Sequence, residues 1–282
     1  MSYRGSTGAF PFVVALMLSM GGAWAADDAK YPNWKGHWDP INPRLGGQAI
    51  KFDPTKAWGP AQQAPLTPEY QKVHEESMAD QANGGLGNYP TARCLPSGMP
   101  RLMALPVQEY VITSETTYIL VGHDIRRIFT DGRDWPKDAE PAFLGYSIGK
   151  WVDEDGDGKF DVLEVETRGM KGPRSFDASG LPLHVDNDSV VKERIYLDKS
   201  NRDVLIDEVT TLDKALTRPW TVTKKYVRET KNVIWFEYNC TENNRHVQIG
   251  KDNYYVSADG FLMPVRKGQA PPDLKYFQNA QQ

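Results

Sequence analysis

Cysteine is nearly absent from this chain of 282 residues: there are two, Cys94 and Cys240. Histidine is almost as scarce, with five, and no spacing of Cys, His and carboxylates matches a zinc site. No G-x-S-x-G elbow, which needs a strand-to-helix turn, supports a serine hydrolase. An excess of basic residues is also missing. Lys and Arg number 33 against 37 Asp and Glu, a formal net charge of −4, which argues against nucleic acid, a partner of basic stripes. Long apolar runs are confined to one, Phe10–Met20 (FPFVVALMLSM), too short to span a bilayer.

That single run has another reading. Arg4 supplies a positive start, the run is the apolar middle, and Ala23-Trp24-Ala25 is a small-x-small cleavage site. Residues 1–25 are therefore expected to be a secretory signal cut after Ala25, and the protein to be periplasmic or secreted, with no membrane span in the mature chain. In an oxidising compartment the two cysteines are expected to pair. Such a link would tie the N-terminal arm to a late strand and stabilise by about 4–5 kcal/mol on loop entropy.

What is present reads as β. From Gln108 onward, short β-rich runs alternate with turn signals. Expected strands are Glu109–Thr113, Thr117–Thr130, Gly145–Trp151, Phe160–Thr167, Val190–Leu197, Val204–Leu212, Thr221–Arg228, Val233–Asn239, Tyr254–Val256 and Phe261–Pro264. No helical crossover separates them, so the sheet is expected to be antiparallel. Closure would remove its edges. The expected fold is mainly β, an antiparallel closed or nearly closed barrel of lipocalin-like shape over residues 108–268. An N-terminal arm with one short helix and Pro-rich loops precedes it over 26–107, and a loose tail follows over 269–282. The helix is expected at Leu66–Ala82, with Thr67 as cap, Pro68 in its first position and Glu69 as first-turn acid. His74 then lies on a polar, solvated helix.

Candidate site residues follow from strand alternation. Within Thr117–Thr130 the more apolar face carries His123 and Arg127; Arg126 falls on the other. Glu193 sits among aliphatics in Val190–Leu197, and Glu237 shares a face with Trp235 in Val233–Asn239. Inward Arg and Glu cost several kcal/mol unless paired, so they mark either a structural ion pair or a site. A bulge would flip the register and turn them outward. The expected functions are a binder and an enzyme, with an envelope interaction protein, its polar cluster only structural, as the third reading. The first is a binder of a small hydrophobic or aromatic molecule in a barrel cavity, with Trp38, Arg126, His184, Trp235 and Glu237 as contacts. The second is a cofactor-independent lyase or isomerase, in which His123 moves a proton, Arg127 holds an anionic group and Glu193 orients His123. Trp38, in the tripeptide Gly36-His37-Trp38, is expected first of all as an aromatic plug that needs no ligand.

One loop has the letters of a calcium site. Asp153, Asp155 and Asp157 are followed by Gly158, with the Lys159 carbonyl, Asp161 and Glu164 completing the pattern. Its flanks read as strands rather than helices. Calcium is therefore expected in a structural role, the alternative being an acidic hairpin tip that is merely solvated. In that setting the strand would pull Glu164 out of reach.

The stretches ARCLPSGMPR (Ala92–Arg101), HDIRRIFTDGR (His123–Arg133), GYSIGKW (Gly145–Trp151), HVDNDSVVKERIYL (His184–Leu197), TRPWTVTKKY (Thr217–Tyr226) and EYNCTENNR (Glu237–Arg245) together resemble a family of exported bacterial proteins common in acidobacteria and sphingomonad-like proteobacteria. The resemblance implies a lipocalin-like or related barrel and no particular reaction. It places His123, Arg126, Arg127, Asp131, Arg133, Glu193, Arg194 and Glu242 inside the shared motifs. The longer acidic stretch DEDGDGKFD departs from the family's short turn, so calcium binding is not implied by the resemblance.

Overall fold

A computed structural model describes residues 29–41, 64–105, 107–176, 180–231, 246–249, 252–257 and 259–272. The expected signal segment, the strand expected at Val233–Asn239 and most of the tail lie outside the described residues. The strands are β1 (His37–Pro40), β2 (Gln108–Ile112), β3 (Thr116–Val121), β4 (Asp124–Phe129), β5 (Tyr146–Val152), β6 (Val162–Arg168), β7 (Val190–Leu197), β8 (Val204–Leu212), β9 (Trp220–Glu229), β10 (His246–Ile249), β11 (Asp252–Val256) and β12 (Leu262–Pro264). β1 to β9 form a closed barrel in sequence order, sealed by antiparallel pairing of β9 with β1.

Two features of the barrel's strand pairing depart from the sequence expectation. The run Thr117–Thr130 is not one strand. Gly122, at φ +57°, and His123 form a two-residue turn between β3 and β4, a backbone conformation that glycine adopts without a Cβ penalty. Val121 then pairs with Asp124 and Ile119 with Arg126. Residues directly opposite share a face. The inward set is therefore odd-numbered before the turn and even-numbered after it, and Arg126 rather than Arg127 faces the interior. The second departure is that β4 and β5 run parallel, with Ile128 opposite Ser147. A parallel pair needs a long return connection. The link from Thr130 to Gly145 supplies it without a helix, so the absence of a helical crossover did not guarantee a fully antiparallel sheet.

The arm contributes more than expected, and the C-terminal strands less. β1 comes from the arm and is the strand that closes the barrel. β10–β12 form a separate three-stranded antiparallel sheet. Helix α1 (Pro68–Ala82) starts as its sequence dictates: the Thr67 hydroxyl accepts the Tyr70 N–H at 3.4 Å, with Pro68 in the first turn. His74, expected in solvent, is 2% exposed. The polar helix still buries one side, where the Ser77 hydroxyl accepts the Asn88 N–H at 2.8 Å and Asn88 Nδ2 donates to the Val73 carbonyl.

The interior has two apolar clusters. The larger includes Trp34, Trp38, Ile119, Trp151, Leu163, Ile195, Leu205 and Tyr226. Near the β5–β6 and β7–β8 turns its aromatic end is layered, with Tyr31 edge-on to Trp151 at 5.4 Å and Trp34 4.9 Å from Trp151. The smaller comprises Phe176, Leu181, Leu216, Trp220 and Val222, at the opposite end, where the β6–β7 and β8–β9 links meet the start of α1. There Thr67 donates its N–H to the Ala215 carbonyl, and Thr217 donates to the Pro65 carbonyl.

Candidate functional site

A band of polar side chains lies inside the barrel among these apolar residues. One part of it is closed on itself. Arg126 (β4) is 1% exposed and Glu193 (β7) 3%. The guanidinium donates to Glu193 from both terminal nitrogens, Nη1 to Oε1 at 2.9 Å and Nη2 to Oε2. Nη2 also donates to Thr167 Oγ1 at 2.9 Å, and Nε to Ser147 Oγ at 3.4 Å. Burial pulls the guanidinium down, but the charge and hydrogen bonds of Glu193 outweigh it and hold Arg126 above its ordinary value. Tyr110 donates to Gln108 at 2.8 Å, and Tyr226 donates to the Met103 carbonyl. Burial, reinforced by nearby Asp207, pushes both phenols well above their usual range, so both remain protonated donors.

The other part of the band is open. Asp207 (β8) is fully buried, and neither carboxyl oxygen has a hydrogen-bond partner among the described residues. Burial, then the Glu193 charge, pushes its carboxyl well above the carboxylate range, against the opposing pull of Lys224 and Arg126. Lys224 (β9) stands directly across from it in the ladder. Four residues further along, on the same face of β8, Thr211 is fully buried and its hydroxyl has no hydrogen-bond partner among the described residues. Opposite Thr211 is Trp220, whose indole N–H also has no hydrogen-bond partner among the described residues. The Ser175 hydroxyl and, across the barrel on β3, that of Thr117 likewise have no hydrogen-bond partner among the described residues. Native interiors rarely leave such groups unserved.

The enzyme constellation expected from the sequence does not assemble. His123 sits in the β3–β4 turn with its side chain 60% exposed, near Asp124 at 4.0 Å. Arg127 faces solvent, with its guanidinium 5.9 Å from the centre of the Tyr118 ring. Glu193 points inward as expected but is engaged by Arg126. Trp38 is fully buried; its indole donates to the Trp34 carbonyl at 3.0 Å and Arg228 covers its ring at 4.3 Å, the geometry of a plug. His184 lies on the β6–β7 link, 3.0 Å from Asp186, its ring tilted against that of Tyr70 at 5.7 Å. Trp235 and Glu237 lie outside the described residues, as does Cys240, the expected partner of Cys94. The expectation that no G-x-S-x-G elbow is present overlooked GYSIG (Gly145–Gly149), which has its letters. Yet Ser147 lies within β5, 2% exposed, 2.8 Å from Thr167 Oγ1, with no strand-to-helix turn to present it.

The acidic loop between β5 and β6 draws three carboxylates together. Carboxylates of Asp153, Asp155 and Asp161 lie within 4.8 Å of one another. Asp157 and Glu164 do not join them. Asp157 Oδ1 accepts the Lys159 N–H at 2.8 Å, and Glu164 is held on β6, 3.8 Å from Arg194. Strand pairing of Glu164 with Lys150 and Arg194 fixes it there. Calcium takes six to eight oxygens, so these three carboxylates would be a partial set.

No protein-family model matches the chain, nor does a curated protein or a solved structure. Among the described residues, no helix is long and apolar enough to cross a membrane. Sequence alternation missed Asp207, Thr211 and Lys224, although the signal was there. Leu205, Asp207, Val209 and Thr211 share a face of one strand, just as Glu193 does with Val191 and Ile195. Trp220, Val222, Lys224 and Tyr226 repeat the pattern in the next.

Proposed function

We propose that the protein is an exported binding protein, periplasmic or secreted, that holds a small hydrophobic or aromatic molecule inside its barrel. The observation that carries this reading is the open half of the polar band: buried hydrogen-bonding groups without partners, beside the rings of Trp220 and Phe176. Binding sites combine apolar walls with a few polar groups that fix orientation. A lyase or isomerase built on His123, Arg127 and Glu193 has less support, because two of the three face solvent. The test is native mass spectrometry of the full chain after incubation with a pool of small aromatic and hydrophobic metabolites. A retained, unchanged compound that protects the barrel from unfolding supports the proposal. The absence of any retained compound, together with an unshifted melt across the pool, overturns it.

Three further expectations belong to this reading. Export by the signal segment 1–25 predicts a mature N-terminus after Ala25. A Cys94–Cys240 disulfide predicts a mass two hydrogens below that of the reduced chain. Structural calcium at Asp153, Asp155 and Asp161 predicts a melting temperature raised by about 5 °C at saturating calcium. An identical melt in chelator would remove the metal from the account.

A further inference from the structure

We infer that the ligand face is built by Asp207, Thr211, Trp220 and Ser175, and that its ligand is a ring bearing hydroxyl groups rather than a carboxylate or an amine. The inference rests on the binding reading above and adds the chemical class.

The face is continuous along β8, β9 and the link before β7. Asp207 and Thr211 project from one side of β8, opposite Lys224 and Trp220 of β9. Phe176 packs 4.4 Å from Trp220, centroid to centroid, and the Lys224 ammonium lies 5.2 Å from the centre of the Phe176 ring. Ser175 precedes Phe176 in the same link. All six are at least nine-tenths buried. The unpartnered atoms are two carboxyl oxygens, two hydroxyls and an indole N–H. Acceptors and donors are thus interleaved on one surface, flanked by two aromatic rings.

Ligand chemistry follows from that mixture. Arg126 is engaged by Glu193, Ser147 and Thr167, which leaves Lys224 and Asp207 as the ionisable groups of this face. A carboxylate on the ligand would meet Asp207 and, behind it, Glu193. An ammonium would meet Lys224, with Arg126 beyond. Either would be buried close to a like charge, Glu193 or Lys224, a cost that a neutral group avoids. A hydroxyl donates and accepts at once. It serves Asp207 in either protonation state while accepting from Trp220 or Thr211. A flat ring carrying the hydroxyls stacks on Trp220 and Phe176.

The test uses one-ring probes of similar size on the full chain: resorcinol, phenol, toluene, benzoate and benzylammonium, titrated by calorimetry and by Trp fluorescence. Resorcinol is expected to bind on the order of tenfold more tightly than toluene, and both charged probes more weakly than phenol. Thr211→Val keeps shape and removes the hydroxyl; it should weaken resorcinol by roughly 3–10-fold and leave toluene unchanged. Thr210→Val, on the outer face where Thr210 lies 2.8 Å from Thr221, should change neither. If toluene binds as well as resorcinol, or a charged probe binds best, the hydroxyl inference fails while the binding proposal stands. If resorcinol affinity survives both Thr211→Val and Asp207→Asn, the assigned face is wrong. If no ring binds at any concentration, both proposals fall.

Discussion

Two carboxyl groups share the interior of this barrel and meet opposite conditions. Glu193 and Asp207 are both buried, on neighbouring strands, each facing a cation. Glu193 has a bidentate guanidinium, itself anchored by Ser147 and Thr167. Asp207 has a lysine across the ladder but no hydrogen bond to either oxygen among the described residues. The first arrangement is complete and has nothing left to offer a ligand. The second is incomplete. Its carboxyl is displaced toward the neutral form by burial and by the Glu193 charge. Buried acids are thus not equivalent markers of function; the one with unspent hydrogen-bonding capacity is the better pointer to a site.

The largest expected effect comes from breaking the complete pair. Glu193→Ala leaves the Arg126 guanidinium buried without its counter-charge, and should cost about 3–5 kcal/mol in denaturant unfolding. Replacing both, as Arg126→Met with Glu193→Leu, should recover most of that loss, since paired apolar residues of similar volume often match a buried ion pair. A double variant as unstable as the single one would mean that Ser147 and Thr167, stranded by the change, matter more than the ion pair.

A smaller effect is expected at the incomplete acid, with a sign that depends on pH. The folded-state value of Asp207 lies above that of the unfolded chain, so the native state holds a proton more tightly. Its contribution is fully present below about pH 4 and is lost as pH rises through the folded-state value, so stability falls with pH across that window. Asp207→Asn removes the titration and should flatten that part of the stability profile, leaving the Arg126–Glu193 contribution in place. Urea midpoints from pH 4 to 8 would show it. A wild-type profile rising with pH beyond that of the Asn variant would reverse the assignment.

How much of this was legible in the sequence is best seen at Arg126 and Arg127. The strands, the helix start at Thr67 and Pro68, and the inward Glu193 follow from alternation and capping. The interior arginine does not. Its identity depends on whether Gly122 and His123 are strand or turn, and one turn reverses every assignment after it. HDIRR carries no alternation strong enough to decide, because Ile125 and Ile128 fall on opposite faces. The parallel β4–β5 pair was hidden for a related reason: the link that allows it is long but has no helical pattern. The closing strand β1 is only four residues, too short to stand out among prolines. Asp207 was overlooked although its pattern matched that of Glu193, since an aspartate beside glutamate in VLIDEVTTL reads as solvent-facing until the strand is taken two residues at a time.

The smallest expected effect completes the contrast between neighbours. Arg127→Ala and His123→Gln change groups that face solvent, and each should fall within about 0.5 kcal/mol of wild type. Arg126→Ala, one residue away, would leave Glu193 as an uncompensated buried charge and cost several kcal/mol. The pair of alanine variants therefore reads the register of β4 directly. Equal small losses at both positions would place neither arginine inside, and the buried ion pair would go with it. A large loss at Arg127 alone would restore the unbroken strand from Thr117 to Thr130, and with it the case for His123 in the interior.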